Sequence, residues 1–176
     1  IRVHFVCGGR VLKQLAMRKT VLTDVARQLS VPEKDASVAL TKLMTTAKQT
    51  EKALAEALDA SLAYEAKEYA HAGQAVVSQV FENRTIQELQ KLARFMTTEN
   101  PDITALLVAN NEDKLQFVAA RGANVELSMK SVAAAALPII NGKGGGNDAL
   151  VQGGGEKIVT PATLLDAMRN ALNDCM

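Results

Sequence analysis

The sequence predicts an α/β (α+β) fold in two parts, a long antiparallel helical hairpin followed by a small glycine-rich domain of sheet and helices. The chain has 176 residues, of which 48% are apolar, enough to bury a sizeable core. Apolar residues recur at helical spacing from Arg10 to Ala70, and strand-like and helix-like segments alternate after His71. The apolar content excludes a disordered chain, and the eleven glycines exclude a coiled-coil rod.

The first segment, residues 1–7, alternates with a period of two and is rich in β-branched side chains, which predicts a strand. A helix follows almost at once, so the strand has no nearby partner in the sequence. Because an unpaired strand leaves backbone groups unsatisfied, residues 1–9 are predicted to be the last strand of a truncated domain. The alternative is that this strand pairs with the C-terminal domain or with a second copy of the chain.

Residues 10–72 are predicted to form a helical arm. Ser30 and Glu33 have the spacing of a capping box, with Pro32 in the first turn, so a second, longer helix is expected over residues 31–70. Two helices joined by so short a turn are expected to be antiparallel. Apolar and small residues step by fours and threes along the second helix, as in a coiled-coil face. This predicted seam consists of Ala36, Leu40, Leu43, Ala47, Thr50, Leu54, Ala57, Ser61 and Tyr64.

Residues 73–176 are predicted to form one small sheet covered by helices. Thr85 and Glu88 have the spacing of a second capping box, and Thr160–Pro161 pairs a cap with a first-turn proline at the start of the terminal helix. The predicted strands cover residues 75–82, 103–109 and 114–121, and the predicted helices cover residues 85–98, 127–140 and 160–172.

A glycine loop is predicted before the terminal helix, since seven of the eleven glycines fall within residues 142–155. Consecutive N–H groups in such a loop can hold a phosphate, with Lys143 as the point charge. The loop lacks the Gly-Lys-Ser/Thr ending of a Walker loop, and it follows a helix, unlike a dinucleotide fingerprint. A flexible connection is the alternative. The candidate phosphate-binding residues are Gly142, Lys143, Gly144, Gly145, Gly146, Gln152, Gly153, Gly154 and Gly155.

Basic residues are concentrated in the first part of the chain. Residues 1–48 carry nine Lys and Arg against three acidic residues, a net charge of +6, whereas residues 49–176 carry eleven against sixteen, a net charge of −5. A basic surface suits the phosphate backbone of a nucleic acid, and its binding is expected to fall steeply with salt. A solvated helix face is the alternative. The candidate residues for such contacts, at the start of the first helix, are Arg10, Lys13, Arg18 and Lys19.

Several other features bear on the class of protein. The longest apolar stretch, residues 132–140, is shorter than a membrane span, and nothing resembles a signal peptide. Cys7 and Cys175 lie at opposite ends, so we expect a cytoplasmic protein without a disulfide framework. His4 and His71 are far apart, and no Cys/His spacing suits zinc. No nucleophile–base pair or carboxylate cluster is found, so neither a catalytic residue nor a metal ligand is predicted in this chain.

Two segments resemble a known family. Gly-Lys-Gly-Gly-Gly at residues 142–146, followed by Gln-Gly-Gly-Gly at residues 152–155, is similar to the glycine-rich signature of the DHHA1 domain. That domain occurs in alanyl-tRNA synthetases, alanyl-tRNA editing proteins and DHH phosphoesterases. Residues 2–12, Arg-Val-His-Phe-Val-Cys-Gly-Gly-Arg-Val-Leu, resemble the end of the editing domain in the first two groups. The chain departs from the family at Asn147 and Asp148, where an Arg-Pro pair is common.

The resemblance implies the C-terminal tRNA-binding and dimerisation region of an alanyl-tRNA editing protein, which removes serine or glycine from alanine tRNA. It implies a homodimer, alanine tRNA as the partner, and an aminoacyl-tRNA deacylase as the parent protein. The catalytic zinc is expected in an upstream editing domain, and no cofactor is expected in this chain. The pattern of residues 5–10 favours a stand-alone editing protein over a full synthetase. The sequence does not specify the amino acid removed or the dimerising surface.

Two alternatives stay open. The first is an accessory DHHA1 lobe of a DHH-type phosphoesterase, in which the glycine residues hold the substrate phosphate. The second is a self-association module that binds no RNA and dimerises through Leu40, Leu43 and Leu54. An upstream sequence with a zinc-type His/Cys set, or with an Asp-His-His set, separates the editing protein from the phosphoesterase.

Overall fold

The computed structural model describes residues 8–174. The helices are α1 (Gly9–Gln28), α2 (Ala36–Ala70), α3 (Ile86–Glu99), α4 (Met129–Ile139) and α5 (Pro161–Asn173), and a 3₁₀ turn, Glu33–Asp35, leads into α2. The strands are β1 (Val76–Glu82), β2 (Thr104–Asn110), β3 (Lys114–Arg121), β4 (Lys143–Gly146) and β5 (Leu150–Glu156). Within the described range, no helix is long and apolar enough to cross a membrane. The strand predicted at residues 1–7 lies outside the described residues.

The chain divides into two compact units, Ile1–Glu56 and Ala57–Met176, and α2 contributes to both. The second unit begins inside α2 because the last turns of this helix, with Leu62, Ala66 and Ala70, are buried in its core. The sequence places a domain boundary after residue 72, where the helical periodicity ends. The periodicity of apolar residues in the sequence shows where α2 ends, whereas the boundary of the second unit depends on which part of α2 packs into its core.

Ser30 ends α1 and does not cap the following helix. Its backbone is left-handed (φ 56°), and the N–H of Val31 donates to the carbonyl of Ala26, as in the Schellman pattern of a helix C-terminus. The predicted capping box of Ser30 and Glu33 is therefore wrong. Glu33 instead accepts a hydrogen bond from the hydroxyl of Thr23, and the regular helix starts later than predicted.

The seam predicted along the second helix is mostly exposed. Ala36 is buried, but the other seam residues are exposed, and Leu54 retains 70% of its accessible surface. Packing within this chain therefore does not use the seam, and its role as a coiled-coil or dimer surface stays a prediction. The part of α2 in the second unit is buried along a different face, at Leu62, Ala66 and Ala70.

The second unit contains a five-stranded mixed sheet with the strand order β1-β2-β3-β5-β4. Strands β1 and β2 are parallel and are connected through α3, whereas the other neighbouring pairs are antiparallel. Helix α3 begins with a capping box: Thr85 Oγ1 accepts from the N–H of Glu88, and the Glu88 carboxylate accepts from the N–H of Thr85. The predicted α+β class and the Thr85 capping box are confirmed.

Two hydrophobic clusters lie on opposite faces of the sheet. On one face, α4 and α5 pack against Leu106 and Phe117, with Val151 from β5. On the other face, α3 and the end of α2 pack against Leu107 and Val118. Helices therefore cover both faces of β2 and β3. Because successive side chains of a strand point to opposite faces, most residues of these strands are buried, which explains their long apolar runs.

Candidate functional site

The predicted glycine loop is a β-hairpin. Strand β4 pairs with β5, and β5 pairs on its other side with β3. Asn147 makes the turn, since its N–H donates to the carbonyl of Leu150 and its Oδ1 accepts from the N–H groups of Ala149 and Leu150. The prediction of a loop is wrong because the free edge of β3 gives these glycines a strand to pair with.

The hairpin leaves no loop cradle of consecutive free N–H groups. Strand β5 lies between β3 and β4, so the ladder engages its backbone on both sides. Glycine-rich phosphate loops instead turn successive N–H groups toward the ligand. A phosphate contact by Lys143 or by the glycine residues stays a prediction. Because β4 is the last strand of the sheet, such a contact would use the Lys143 side chain, the sheet face or the outer edge of β4.

Part of the glycine content is required by packing against α4. A Cβ atom at Gly153 would lie 2.7 Å from Leu137 Cδ2 and 2.7 Å from Phe117 Cε1. A Cβ atom at Gly155 would meet the carbonyl oxygen of Ile140 and lie 2.7 Å from the Cα of Gly142. These glycines therefore let the end of α4 approach the sheet closely, and their presence has a structural explanation.

Two glycines on the opposite face are not explained in this way. A Cβ atom at Gly145 would meet nothing within 4 Å, and one at Gly154 would meet only side-chain atoms of Gln116 and a carbonyl 3.5 Å away. The strand register places three polar side chains beside them on the same face. We call this surface the glycine face; it consists of Gln116, Lys143, Gly145, Gln152 and Gly154.

One amide of the glycine face has free hydrogen-bonding capacity. Asn111 Nδ2 donates to Gln116 Oε1 at 3.2 Å, which orients the Gln116 amide and leaves its own N–H groups for a ligand. Gln152 Oε1 is buried and has no hydrogen-bond partner within residues 8–174. Because this oxygen is enclosed by the protein, it is not exposed to a ligand at the surface. The face therefore offers the N–H groups of the Gln116 amide, beside two glycines that have no side chains.

A cavity of about 440 Å³ adjoins the glycine face. Its charged residues balance, since two lysines and two carboxylates line it. The cavity is therefore suited to a polar ligand, and its lining has no excess of positive charge that would attract an isolated anion. Its lining residues are Asp113, Lys114, Gln116, Asn141, Lys143, Gly154, Gly155 and Glu156.

Asp148 ties the hairpin turn to the start of α4. Its carboxylate accepts a hydrogen bond from Ser128 Oγ at 2.8 Å and forms an ion pair with Lys130 Nζ at 3.2 Å. The hydrogen bond from Ser128, together with the nearby Lys130, lowers the pKa of the Asp148 carboxyl below its usual range. Asp148 thus has a structural role at the position where the resembling family commonly has proline.

The four predicted basic residues of α1 are exposed but do not share a face. At about 100° per residue, Lys13, Arg18 and Lys19 lie about 300°, 80° and 180° around the helix from Arg10. Arg10, Lys13 and Arg18 lie within an arc of about 140°, whereas Lys19 lies outside it, so the structure does not bring all four together as one stripe. Arg18 borders an apolar groove of about 460 Å³ within the first unit, beside Met17, Val21 and Leu22.

Gln116 and Asn111 were not predicted from the sequence as site residues. The available signal was a single polar residue inside the apolar strand 115–120, where a buried position would favour an apolar side chain. Among the described residues, no group of three or more His, Cys, Asp and Glu side chains is placed to hold a metal ion. His71 lies at the end of α2, with Nδ1 2.8 Å from the carbonyl of Lys67.

Comparisons with known proteins show which solved structure has a similar fold. No model of a known protein family matches this sequence, and no curated protein matches it. Among solved structures, the chain is similar to the C-Ala domain of alanyl-tRNA synthetase from Aquifex aeolicus, with 23% sequence identity and a TM-score of 0.51. The match covers 55% of this chain and 89% of that chain. This chain therefore contains a fold similar to that of the C-Ala domain of an alanyl-tRNA synthetase.

Proposed function

We propose that this chain is a tRNA-binding C-terminal domain of the alanyl-tRNA synthetase family. The observation that carries the proposal is the likeness of its fold to the C-Ala domain of an alanyl-tRNA synthetase. The glycine-rich signature of residues 142–155 and the basic first part of the chain support the same function.

The glycine face supports RNA as the ligand. Its two bare glycines leave a flat area that a sugar or a base can approach closely, and the N–H groups of the Gln116 amide can donate to polar groups of a nucleotide. Lys143 adds one positive charge for a phosphate. Such a surface contacts RNA through shape and through polar groups, with little dependence on base sequence.

The finer proposal is that the parent protein edits mischarged alanine tRNA in the cytoplasm. In this proposal a zinc-dependent deacylase domain lies upstream, and this chain binds the tRNA and forms a homodimer. The proposal is supported by the resemblance of residues 2–12 to the end of the editing domain. Sedimentation of the 176-residue chain tests the dimer, and a Leu43→Glu variant tests whether the exposed seam forms it.

The tRNA-binding proposal is tested by titrating the chain with alanine tRNA and with a non-cognate tRNA over a series of salt concentrations. We expect binding that weakens with salt and that is reduced in Lys143→Ala and Gly145→Leu, because both changes alter the glycine face without touching the core. Lys67→Ala is the matched control, since Lys67 is an exposed lysine of α2 that belongs neither to the glycine face nor to the lining of the adjoining cavity. Arg18→Ala/Lys19→Ala tests the predicted residues of α1.

The outcomes separate the proposals. Equal affinity for both tRNAs, reduced in the glycine-face variants, supports tRNA binding and assigns selectivity to another part of the parent protein. Absence of binding to either tRNA at low salt overturns the proposal and favours a self-association module. Binding that is unchanged in both glycine-face variants overturns the assignment of that face.

A further inference from the structure

The first unit carries a polar, basic surface on α2, in addition to the four candidate residues of α1. We infer that the N-terminal part of α2 is a second contact surface for the backbone of double-stranded RNA, separate from the glycine face. The inference rests on the proposed function in taking RNA as the partner. The surface, which we call the lysine–threonine stripe, consists of Thr41, Lys42, Thr45, Lys48, Gln49 and Lys52.

Helical geometry aligns these residues on one face. At about 100° per residue, all six lie within an arc of about 120° on α2. Lys42 and Lys52 are ten residues apart, which corresponds to about 15 Å along the axis. This length matches several phosphates of a nucleic-acid duplex, since the phosphates of one strand lie about 3.4 Å apart along the axis in DNA. The four predicted basic residues of α1 are spread over a wider arc, of about 240°.

The charge of the stripe is positive and accessible. All six residues are exposed, and shallow grooves along this face are lined by Thr41, Thr45 and Gln49 together with the lysines. Among the ion pairs of the described residues, Lys42 and Lys48 take no part. Lys52 pairs only with Glu56, at 3.6 Å, and both side chains are more than two-thirds exposed. Such a pair is weak and is readily exchanged for a phosphate.

The two threonines favour RNA over DNA. Thr41 Oγ1 donates to the carbonyl of Ser37 at 3.0 Å, and Thr45 Oγ1 donates to the carbonyl of Thr41 at 2.9 Å. Each hydroxyl has thus used its proton inside the helix and presents its lone pairs outward as acceptors. A phosphate oxygen has no proton to donate to them, whereas the ribose 2′-hydroxyl of RNA does. The deoxyribose of DNA has no 2′-hydroxyl, so the threonines favour the backbone of RNA over that of DNA.

The experiment compares the 176-residue chain with Lys42→Gln/Lys48→Gln and with Thr41→Val/Thr45→Val. The probes are alanine tRNA, a 20-base-pair RNA duplex, a DNA duplex of the same sequence, and phosphatidylserine–phosphatidylcholine vesicles. The control is Lys67→Gln/Arg94→Gln, which removes the same charge from exposed positions of the second unit. Far-ultraviolet circular dichroism checks that each variant keeps its helices.

We expect the lysine variant to bind the RNA duplex about tenfold more weakly than the wild-type chain at moderate salt. The slope of log affinity against log salt is expected to become shallower by about 1.5 to 2. The control is expected to keep the slope of the wild-type chain. The threonine variant is expected to keep the slope but to lose roughly three- to tenfold of its preference for the RNA duplex over the DNA duplex.

Two results would overturn the inference while leaving the proposed function intact. In the first, the wild-type chain binds tRNA, but the lysine variant and the control show the same slope of log affinity against log salt. The other is stripe-dependent binding to the vesicles without stripe-dependent binding to the RNA duplex, which assigns the stripe to membranes. If the wild-type chain binds no tRNA at low salt, the proposed function itself fails, and the inference fails with it.

Discussion

Gly153 lies directly opposite Phe117 in the ladder between β5 and β3, and the Phe117 ring occupies the space that a side chain at Gly153 would need. The same space is bounded on the helix side by Leu137, whose Cδ2 atom would lie 2.7 Å from a Cβ atom at Gly153. Phe117 is fully buried, so neither its ring nor α4 can move without disturbing the core. This contact explains why a glycine stands in the centre of the hairpin.

The Gly153→Ala variant is expected to lower the free energy of unfolding by about 1–3 kcal/mol, because an added methyl group overpacks the core. Urea denaturation followed by circular dichroism measures the loss. Gly145→Ala is the control, since a Cβ atom there would meet nothing within 4 Å, and it is expected to change stability by less than about 0.5 kcal/mol. Equal effects of the two substitutions would contradict the packing explanation.

The Thr85→Ala variant is expected to lower the free energy of unfolding by about 1 kcal/mol, because Thr85 Oγ1 accepts the N–H of Glu88 at the start of α3. Thr85→Ser keeps a hydroxyl in the same position and is expected to keep most of the stability. Urea denaturation of the two variants tests this. A loss as large for serine as for alanine would mean that the methyl group, and not the cap, stabilises the helix.

Asp148 is expected to make stability depend on pH in the acid range. Its pKa is lowered in the folded chain, first by the hydrogen bond from Ser128, so its contribution is present above its unfolded value of about 3.9. The contribution is lost as the pH falls through the lower folded value. The difference in urea midpoint between the wild-type chain and Asp148→Asn is therefore expected to be constant above about pH 5 and to shrink below about pH 3.

The matched control for this pH dependence is Asp166→Asn, which changes an exposed carboxylate on α5. Its midpoint difference from the wild-type chain is expected to stay small throughout the same pH range. A difference for Asp148→Asn that grows toward acid pH would contradict the structure, because it would require a raised pKa.

Tyr69 is expected to ionise above the usual value of about 10 for a tyrosine. Burial raises its pKa most, and the carboxylate of Glu65 raises it further, whereas Arg84 acts in the opposite direction. The chain has two tyrosines, so a Tyr64→Phe variant lets the phenolate absorbance report Tyr69 alone. Adding Glu65→Gln is expected to lower the ionisation midpoint, and an unchanged midpoint would show that Glu65 does not act on Tyr69.

Local signals predicted most of the elements of the second unit. The spacing of Thr85 and Glu88 predicted the start of α3, and Thr160–Pro161 predicted the start of α5, because capping uses groups that are close in the sequence. The same reasoning failed at Ser30, where the serine ends one helix through its backbone. A capping pattern does not reveal the backbone conformation of its first residue, and a left-handed serine cannot begin a helix.

The candidate site was predicted only in part. Lys143, Gln152 and the glycines were identified from composition and from a family resemblance, but their arrangement as two strands was not, because a glycine run has no side-chain periodicity. Gln116 joined the site through the register with Gly154 across two strands. Pairing between segments distant in the sequence leaves no local pattern to read.

The sequence by itself determined the α+β class, the order of β1, α3, β2, β3, α4 and α5 in the second unit, and the concentration of basic residues in the first part of the chain. These properties depend on periodicity, capping and composition, which act over a few residues. Only the tertiary structure decided that Gly153 and Gly155 pack against α4 while Gly145 and Gly154 stay open. The reason is physical: the face to which a residue points depends on strand register, and register is fixed by the packing of the whole sheet.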